Sequence, residues 1–231
     1  MQIKGTQTEK NLLKAFAGES QARNRYTYFS SVAKREGYEQ ISAIFQETAE
    51  NEKEHAKIFF KFLEGGDLEI TASYPAGKIG TTIENLKAAA DGEKMEFGAI
   101  YPDFEKTAKK EGFDEVAKAF KEIGEVEENH EKRYRKLAEN IKNGEVFKKD
   151  KPLKWICRNC GYVHEGKEAP DKCPACSHPR AYYEVFAENY WYGRIYSIDL
   201  KKCSNKRTGC SKIIYRAWKK GKIRKNKKII L

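Results

Sequence analysis

At 231 residues, with 39% hydrophobic and 34% charged side chains and a mean hydropathy of -0.81, the chain can fill one large or two smaller packed domains. It contains no apolar run of about 18 residues, and its opening MQIKGTQTEK lacks the apolar stretch of a signal peptide; this argues against a membrane span or secretion and makes the cytoplasm the expected compartment. The formal charge of +11 belongs to the tail alone: residues 191–231 hold 14 Lys/Arg against the single acid Asp199, and residues 1–190 hold 31 basic against 33 acidic groups.

Four helices are predicted in chain order from apolar residues at helical spacing. The first carries Leu12, Phe16, Glu19, Ala22, Tyr26, Phe29 and Ala33 on one stripe, and the second Ile41, Phe45, Thr48, Glu52, His55, Phe59 and Phe62. The third carries Leu86, Ala89, Glu93, Glu96, Ile100 and Phe104, and the fourth Val116, Phe120, Ile123, Glu127, His130, Tyr134, Leu137 and Ile141. Thr6 with Glu9 and Thr81 with Glu84 fit capping boxes that open the first and third. Gly37 and Gly112 mark short turns within each pair, and the Gly- and Pro-punctuated segment 65–80 suits a crossover along a four-helix bundle.

The second pair repeats the first. REGYEQISAIFQETAENEKEHAKIF (35–59) aligns without a gap on KEGFDEVAKAFKEIGEVEENHEKRY (110–134), bringing Glu52 onto Glu127 and His55 onto His130. Upstream, LKAFAGE (13–19) matches LKAAADGE (86–93) only with a slip of about one residue. Pro102 is a misfit inside the third helix, and a kink or bulge there would absorb the slip.

Residues 143–154 read as a charged linker, and a second unit begins at Trp155. Cys157 with Cys160 and Cys173 with Cys176 are two CxxC pairs, suited to a closed four-thiolate site; the spacing alone leaves zinc and iron open. The tail from residue 191 shows no defensible period, and Cys203 and Cys210 stand seven apart without motif spacing. It reads as an incidental extension rather than a nucleic-acid-binding arm, so nucleic acid is not an expected partner. The predicted units are thus a bundle over 1–145, a cysteine unit over 155–190 and a basic tail over 191–231.

Each predicted helix carries acid on its apolar stripe: Glu19, Glu52, Glu93, Glu96 and Glu127, joined by His55 and His130. An unpaired buried carboxylate costs several kcal/mol, and no Lys or Arg shares these stripes. Bound multivalent cations resolve the conflict. Two ExxH pairs, one per half, each opposite a helix that supplies further Glu, match the di-metal carboxylate arrangement of ferritin-like bundles, and mixed oxygen and imidazole donors suit iron or manganese. The fold class expected is mostly α, a ferritin-like four-helix bundle with a small C-terminal four-cysteine domain.

In the ExxH repeat and the CRNCGY and CPAC segments, residues 6 to about 190 resemble rubrerythrins, which join a ferritin-like di-iron bundle to a rubredoxin-like domain. The resemblance implies ligand roles for Glu19, Glu52, Glu93, Glu96, Glu127 and His130, with Glu52 and Glu127 bridging, and an exchange of Glu96 for His55 as one iron is reduced. It implies two irons in the bundle and a third at Cys157, Cys160, Cys173 and Cys176, where zinc remains the rival. Tyr26 and Tyr101, 75 residues apart like the aligned ExxH pairs, are candidates for hydroxyls beside the metals.

The expected activity is reduction of hydrogen peroxide to water, with electrons relayed through the cysteine site in oxidative-stress defence. The alternative is iron oxidation and storage in the manner of ferritins. No GxGxxG or comparable nucleotide-binding stretch occurs, so an external donor is expected, such as rubredoxin or an NAD(P)H-dependent reductase. The resemblance also implies a head-to-tail homodimer or a higher homo-oligomer. Removal of residues 191–231 is expected to leave peroxidase activity unchanged in a steady-state assay.

Overall fold

The structure is a computed structural model that describes residues 2–189. Five α-helices and three strands follow in order: α1 Gln7–Arg35, α2 Glu39–Lys61, α3 Thr82–Met95, α4 Tyr101–Lys110, α5 Asp114–Lys142, β1 Lys148–Cys157, β2 Val163–Glu168 and β3 Tyr183–Val185. A π-helical turn, Glu96–Ile100, joins α3 to α4, so that the third predicted helix is one rod with a widened turn. The tail, with Cys203 and Cys210, lies outside the described residues.

The caps form where the sequence places them, with one difference. Thr81 and Glu84 complete a capping box. Thr6 caps α1 by accepting from the Glu9 N–H, but the Glu9 carboxylate accepts from Gly5 at 2.8 Å, because the Thr6 N–H is already given to the Ile3 carbonyl. The crossover, residues 65–80, contains no helix or strand. Tyr74 anchors it by donating from Oη to the Lys14 carbonyl at 2.9 Å.

The bundle core is two apolar clusters rather than one. Ala22, Tyr26, Phe29, Phe45, Leu86 and Tyr134 belong to the first, at the end of the α1–α2 turn. Leu12, Phe59, Tyr101, Val116 and Phe120 belong to the second. Along every rod the acids fall between the residues of one cluster and those of the other. Glu19, Glu52, Glu93, Glu127, His55 and His130 are all buried in that middle layer.

The π-turn corrects the predicted stripe of the third helix. Tyr101 N–H bonds to the Glu96 carbonyl, five residues back, so one extra residue enters the rod. Everything after it is rotated by one position: Tyr101 and Ala108 are the fully buried residues, while Ile100 and Phe104 are half-buried. Pro102 follows at the start of α4, where its missing N–H costs least. The one-residue slip of the repeat is therefore a physical insertion, just upstream of the proline.

The cysteine unit is a three-stranded antiparallel sheet in the order β2-β1-β3. Residues 148–154, read from sequence as linker, belong to β1: Lys148 pairs with Glu168 and, after an irregularity, Leu153 with Gly166. The Lys-rich segment KKDKPLK hides this strand because it lacks apolar alternation. Trp155 is fully buried, and its Nε1 donates to the Gly166 carbonyl at 3.0 Å.

Met1–Phe186 form one compact unit, and the sheet rests on the α1–α2 turn. Phe147 stacks on Tyr38 with ring centroids 6.2 Å apart and planes 7° from parallel. Gly37 has φ +83°, and a Cβ there would lie 3.7 Å from that of Ala181. From Tyr38 to Glu52 is 14 residues of helix, about 21 Å at a rise of about 1.5 Å per residue. The cysteine unit therefore sits at one end of the bundle, far along α2 from the buried acids.

Candidate metal centres

Two donor clusters occupy the middle layer. Glu19, Glu52, His55 and Glu127 offer one, and Glu52, Glu93, Glu127 and His130 the other, with one donor atom from each residue within 4.8 Å of the rest. Glu52 and Glu127 belong to both. Each cluster thus takes a private Glu from α1 or α3, a private His from α2 or α5, and a shared pair of carboxylates. The sharing follows from the ExxH repeat, which brings α2 and α5 to the same level with their carboxylates adjacent.

Contacts in this layer are too close, and too poorly directed, to be a finished hydrogen-bond network. His55 Nδ1 lies 2.9 Å from Glu52 Oε2 and 2.8 Å from Glu127 Oε1, and His130 Nδ1 lies 2.7 Å from Glu127 Oε2. Both Glu127 oxygens, Glu19 Oε2, Glu52 Oε1, Glu93 Oε2 and His130 Nδ1 nonetheless lack a hydrogen-bond partner. Buried polar atoms are ordinarily satisfied. Here they converge on two common points, as donors around two cations do.

The electrostatics agree. Burial, with Glu127, Glu96 and Glu52 close by, drives the Glu19 carboxyl well above the usual range. Burial with Glu52, Glu127 and Glu96 does the same to Glu93. Burial opposes charge on the imidazoles, yet Glu127 and Glu52 outweigh it and hold His55 up to about 10 and His130 up to about 9. Glu52 would also be raised by burial, but His130 and His55 lower it instead. Without metal, protons must neutralise the layer. Divalent cations held by these residues would replace the protons and give the orphaned donor atoms a partner.

Glu96 differs from the other acids. It begins the π-turn, is half-buried and belongs to neither cluster. Burial, Glu127 and Glu52 push it up to about 8, against a hydrogen bond with Glu93 and the weaker pull of Arg25. Its Oε1 lies 3.9 Å from where a Cβ on Gly18 would stand, and a ring carbon of Tyr74 lies 3.7 Å from the same point. Tyr74 was invisible to periodicity because it comes from the crossover. Glu96 thus lies outside the donor groups, whereas His55 is in one of them.

Tyr26 and Tyr101 are buried, and their hydroxyls cross the bundle. Tyr26 Oη donates to Glu93 Oε1 at 2.6 Å, and Tyr101 Oη donates to Glu19 Oε1. Each rod's tyrosine therefore orients the other rod's private glutamate. The π-turn makes this reciprocity: Tyr26 follows Glu19 by seven residues and Tyr101 follows Glu93 by eight, and the extra residue is the one the turn absorbs.

At the cysteine unit, the Sγ atoms of Cys157, Cys160, Cys173 and Cys176 cluster within 4.8 Å, and none of the four is in a disulfide. Cys157 to Cys176 and Cys160 to Cys173 are both 3.7 Å. Metal–sulfur bonds of about 2.3 Å in a tetrahedron give an edge of about 3.8 Å, so the thiols fit a single ion. The backbone N–H of His178 draws the Cys176 thiol down to about 6, into the thiolate range.

The two knuckles are closed alike, by Gly161 N–H on the Cys157 carbonyl and Ser177 N–H on the Cys173 carbonyl. Gly161 has φ +78° and Ser177, unusually for a residue with a Cβ, +62°. Ser177→Gly is therefore expected to stabilise this unit by about 1 kcal/mol, measured as slower loss of its metal to a chelator. Faster loss would show that Ser177 is held there by its side chain.

A family model described as "Rubrerythrin" matches residues 10–138, and one described as "Rubrerythrin, rubredoxin-like domain" matches residues 155–184. The chain is 61% identical over 188 residues to the rubrerythrin of Porphyromonas gingivalis, covering 81% of this chain and 94% of that one. It is 57% identical over 188 residues to the rubrerythrin of Nitratidesulfovibrio vulgaris, covering 81% and 98%. Among solved structures, the fully reduced, all-ferrous state of nigerythrin matches with a TM-score of 0.53 at 31% identity, over 79% of this chain and 87% of that one.

Proposed function

This chain belongs to the rubrerythrin family, with a di-iron carboxylate and histidine site and a rubredoxin-like four-cysteine site, and from that premise we propose that it is a peroxidase that reduces hydrogen peroxide to water. The observation that carries the reading is the pair of clusters that share Glu52 and Glu127, with a further carboxylate, Glu96, beside them and outside both. When bound, two irons supply the two electrons and the Lewis acidity that the reaction needs.

Each side chain has a part. Glu52 and Glu127 would be shared by both metals, while Glu19 with His55 and Glu93 with His130 would complete one position each. Tyr101 and Tyr26 fix the private glutamates in place and stand as proton donors at the layer's two ends. Peroxide reduction consumes two protons, and Glu96, raised to about 8 in the metal-free protein, is suited to carry one at its exposed edge. Glu96 would also replace His55 as a donor, an anionic ligand suiting the more oxidised ion and a neutral imidazole the more reduced one.

Electrons are proposed to arrive one at a time through the cysteine site from an external donor, such as rubredoxin or an NAD(P)H-linked reductase. Because the cysteine unit rests on the α1–α2 turn, about 21 Å along α2 from Glu52, transfer within one chain is disfavoured. A head-to-tail homodimer, or a larger assembly, would bring the cysteine site of one subunit to the bundle of another. A cytoplasmic protein fits this chemistry, and no helix among the described residues is long and apolar enough to cross a membrane.

The test uses protein purified without oxygen and holding about three irons per chain. After reduction, one equivalent of hydrogen peroxide should promptly restore the ferric colour of the cysteine site. Zinc at the cysteines, or slow recovery of colour, would set the relay aside in favour of storage. Tyr26→Phe and Tyr101→Phe are expected to keep their iron and to lose about tenfold in turnover. Wild-type kinetics in both variants would reduce the two hydroxyls to packing.

A further inference from the structure

A cavity of about 410 Å³ opens between α1, α3 and the crossover segment, a volume suited to a small organic molecule. Its apolar walls are the rings of Tyr26 and Phe29 on α1 and the small residues Ala88, Ala89 and Gly92 on α3. Its charged groups are both cations, Arg25 and Lys78, and no carboxylate lines it. Lys78 is exposed and reaches Glu84 only at 3.9 Å. Arg25 is half-buried and makes no ion pair within 4 Å among the described residues; the acid it acts on, Glu96, does not line the cavity.

Two cations and no carboxylate line this otherwise apolar slot, which makes it electropositive. We infer that the cavity binds a small organic anion with an apolar body, an acyl or aryl carboxylate. The carboxylate lies on Arg25, whose planar fork suits it, and the body lies along Tyr26 and the small residues of α3. Inorganic anions would leave those walls unused. Tyr26 also donates to Glu93 at 2.6 Å, so an occupant would touch the ring that orients a metal donor. The inference goes beyond the peroxidase reading and does not depend on it.

Calorimetric titration of octanoate into the iron-loaded protein, with octanol as the neutral comparison, tests it. Octanoate is expected to bind at least about tenfold more tightly than octanol, and Arg25→Gln to remove that difference. Ala88→Leu, at an exposed position on the cavity wall, is expected to weaken both ligands by about tenfold with unchanged circular dichroism. Octanoate binding insensitive to Arg25→Gln, equal affinity for octanol, or no binding up to about 10 mM would overturn the inference.

Discussion

Glu127→Ala should leave the protein with the iron of its cysteine site alone and lower peroxide reduction by about two orders of magnitude or more. Glu127 belongs to both donor clusters, and both of its oxygens are buried without a hydrogen-bond partner. One substitution therefore removes a donor from two metals at once. Glu19→Ala, which touches a single cluster, is the comparison: it should spare part of the bundle's iron. The bundle itself should still fold, since its two apolar clusters lie outside the donor layer and His55 and His130 can release the protons that Glu127 helps them hold. Iron content per chain and visible absorption read the result. Glu127→Ala protein with three irons would mean that the shared carboxylate is not shared by the metals.

The metal-free protein is expected to lose stability as pH rises from about 6.5 to 9. His55 and His130 have folded values of about 10 and 9, above the ordinary value of about 6.5. Their stabilisation is complete below about 6.5 and disappears as pH climbs through the folded values. Glu19, Glu93 and Glu96 are raised as well. Their folded forms hold protons that the unfolded chain has already released, so they oppose folding increasingly over the same window. Glu52 is lowered and acts in the other sense, but its contribution is lost only at acid pH. Melting temperatures of chelator-treated protein should fall by at least about 5 °C across the window. Metal-loaded protein should fall less, because cations bind best once those protons have gone. A metal-free melting temperature that rises with pH would contradict this account.

The donor layer was legible because burial and charge conflict so openly there. Glu52, His55, Glu127 and His130 sit on stripes that otherwise carry Phe, Ile and Leu, and the gapless repeat shows that the conflict occurs twice. The four cysteines were legible by spacing. The phase of the third helix past Glu93 was not, because a helical period assumes a constant turn and the π-turn changes it; Ile100 and Phe104 were therefore placed where Tyr101 and Ala108 lie. The reciprocal bonds from Tyr26 to Glu93 and from Tyr101 to Glu19 depend on that same residue. Tyr74 and the first half of β1 were missed for a different reason: neither stands in a periodic pattern, and each is held by contacts distant in sequence.

The π-turn has a further consequence for a scaffold made of two similar halves. An unbroken duplicate would offer two equivalent metal positions, related by pseudo-twofold symmetry and indistinguishable in ligand type. The widened turn places Glu96 on one rod, and α1 has no counterpart of it. One inserted residue thus gives the metal pair a front and a back, and two ions that the repeat would make twins acquire separate identities.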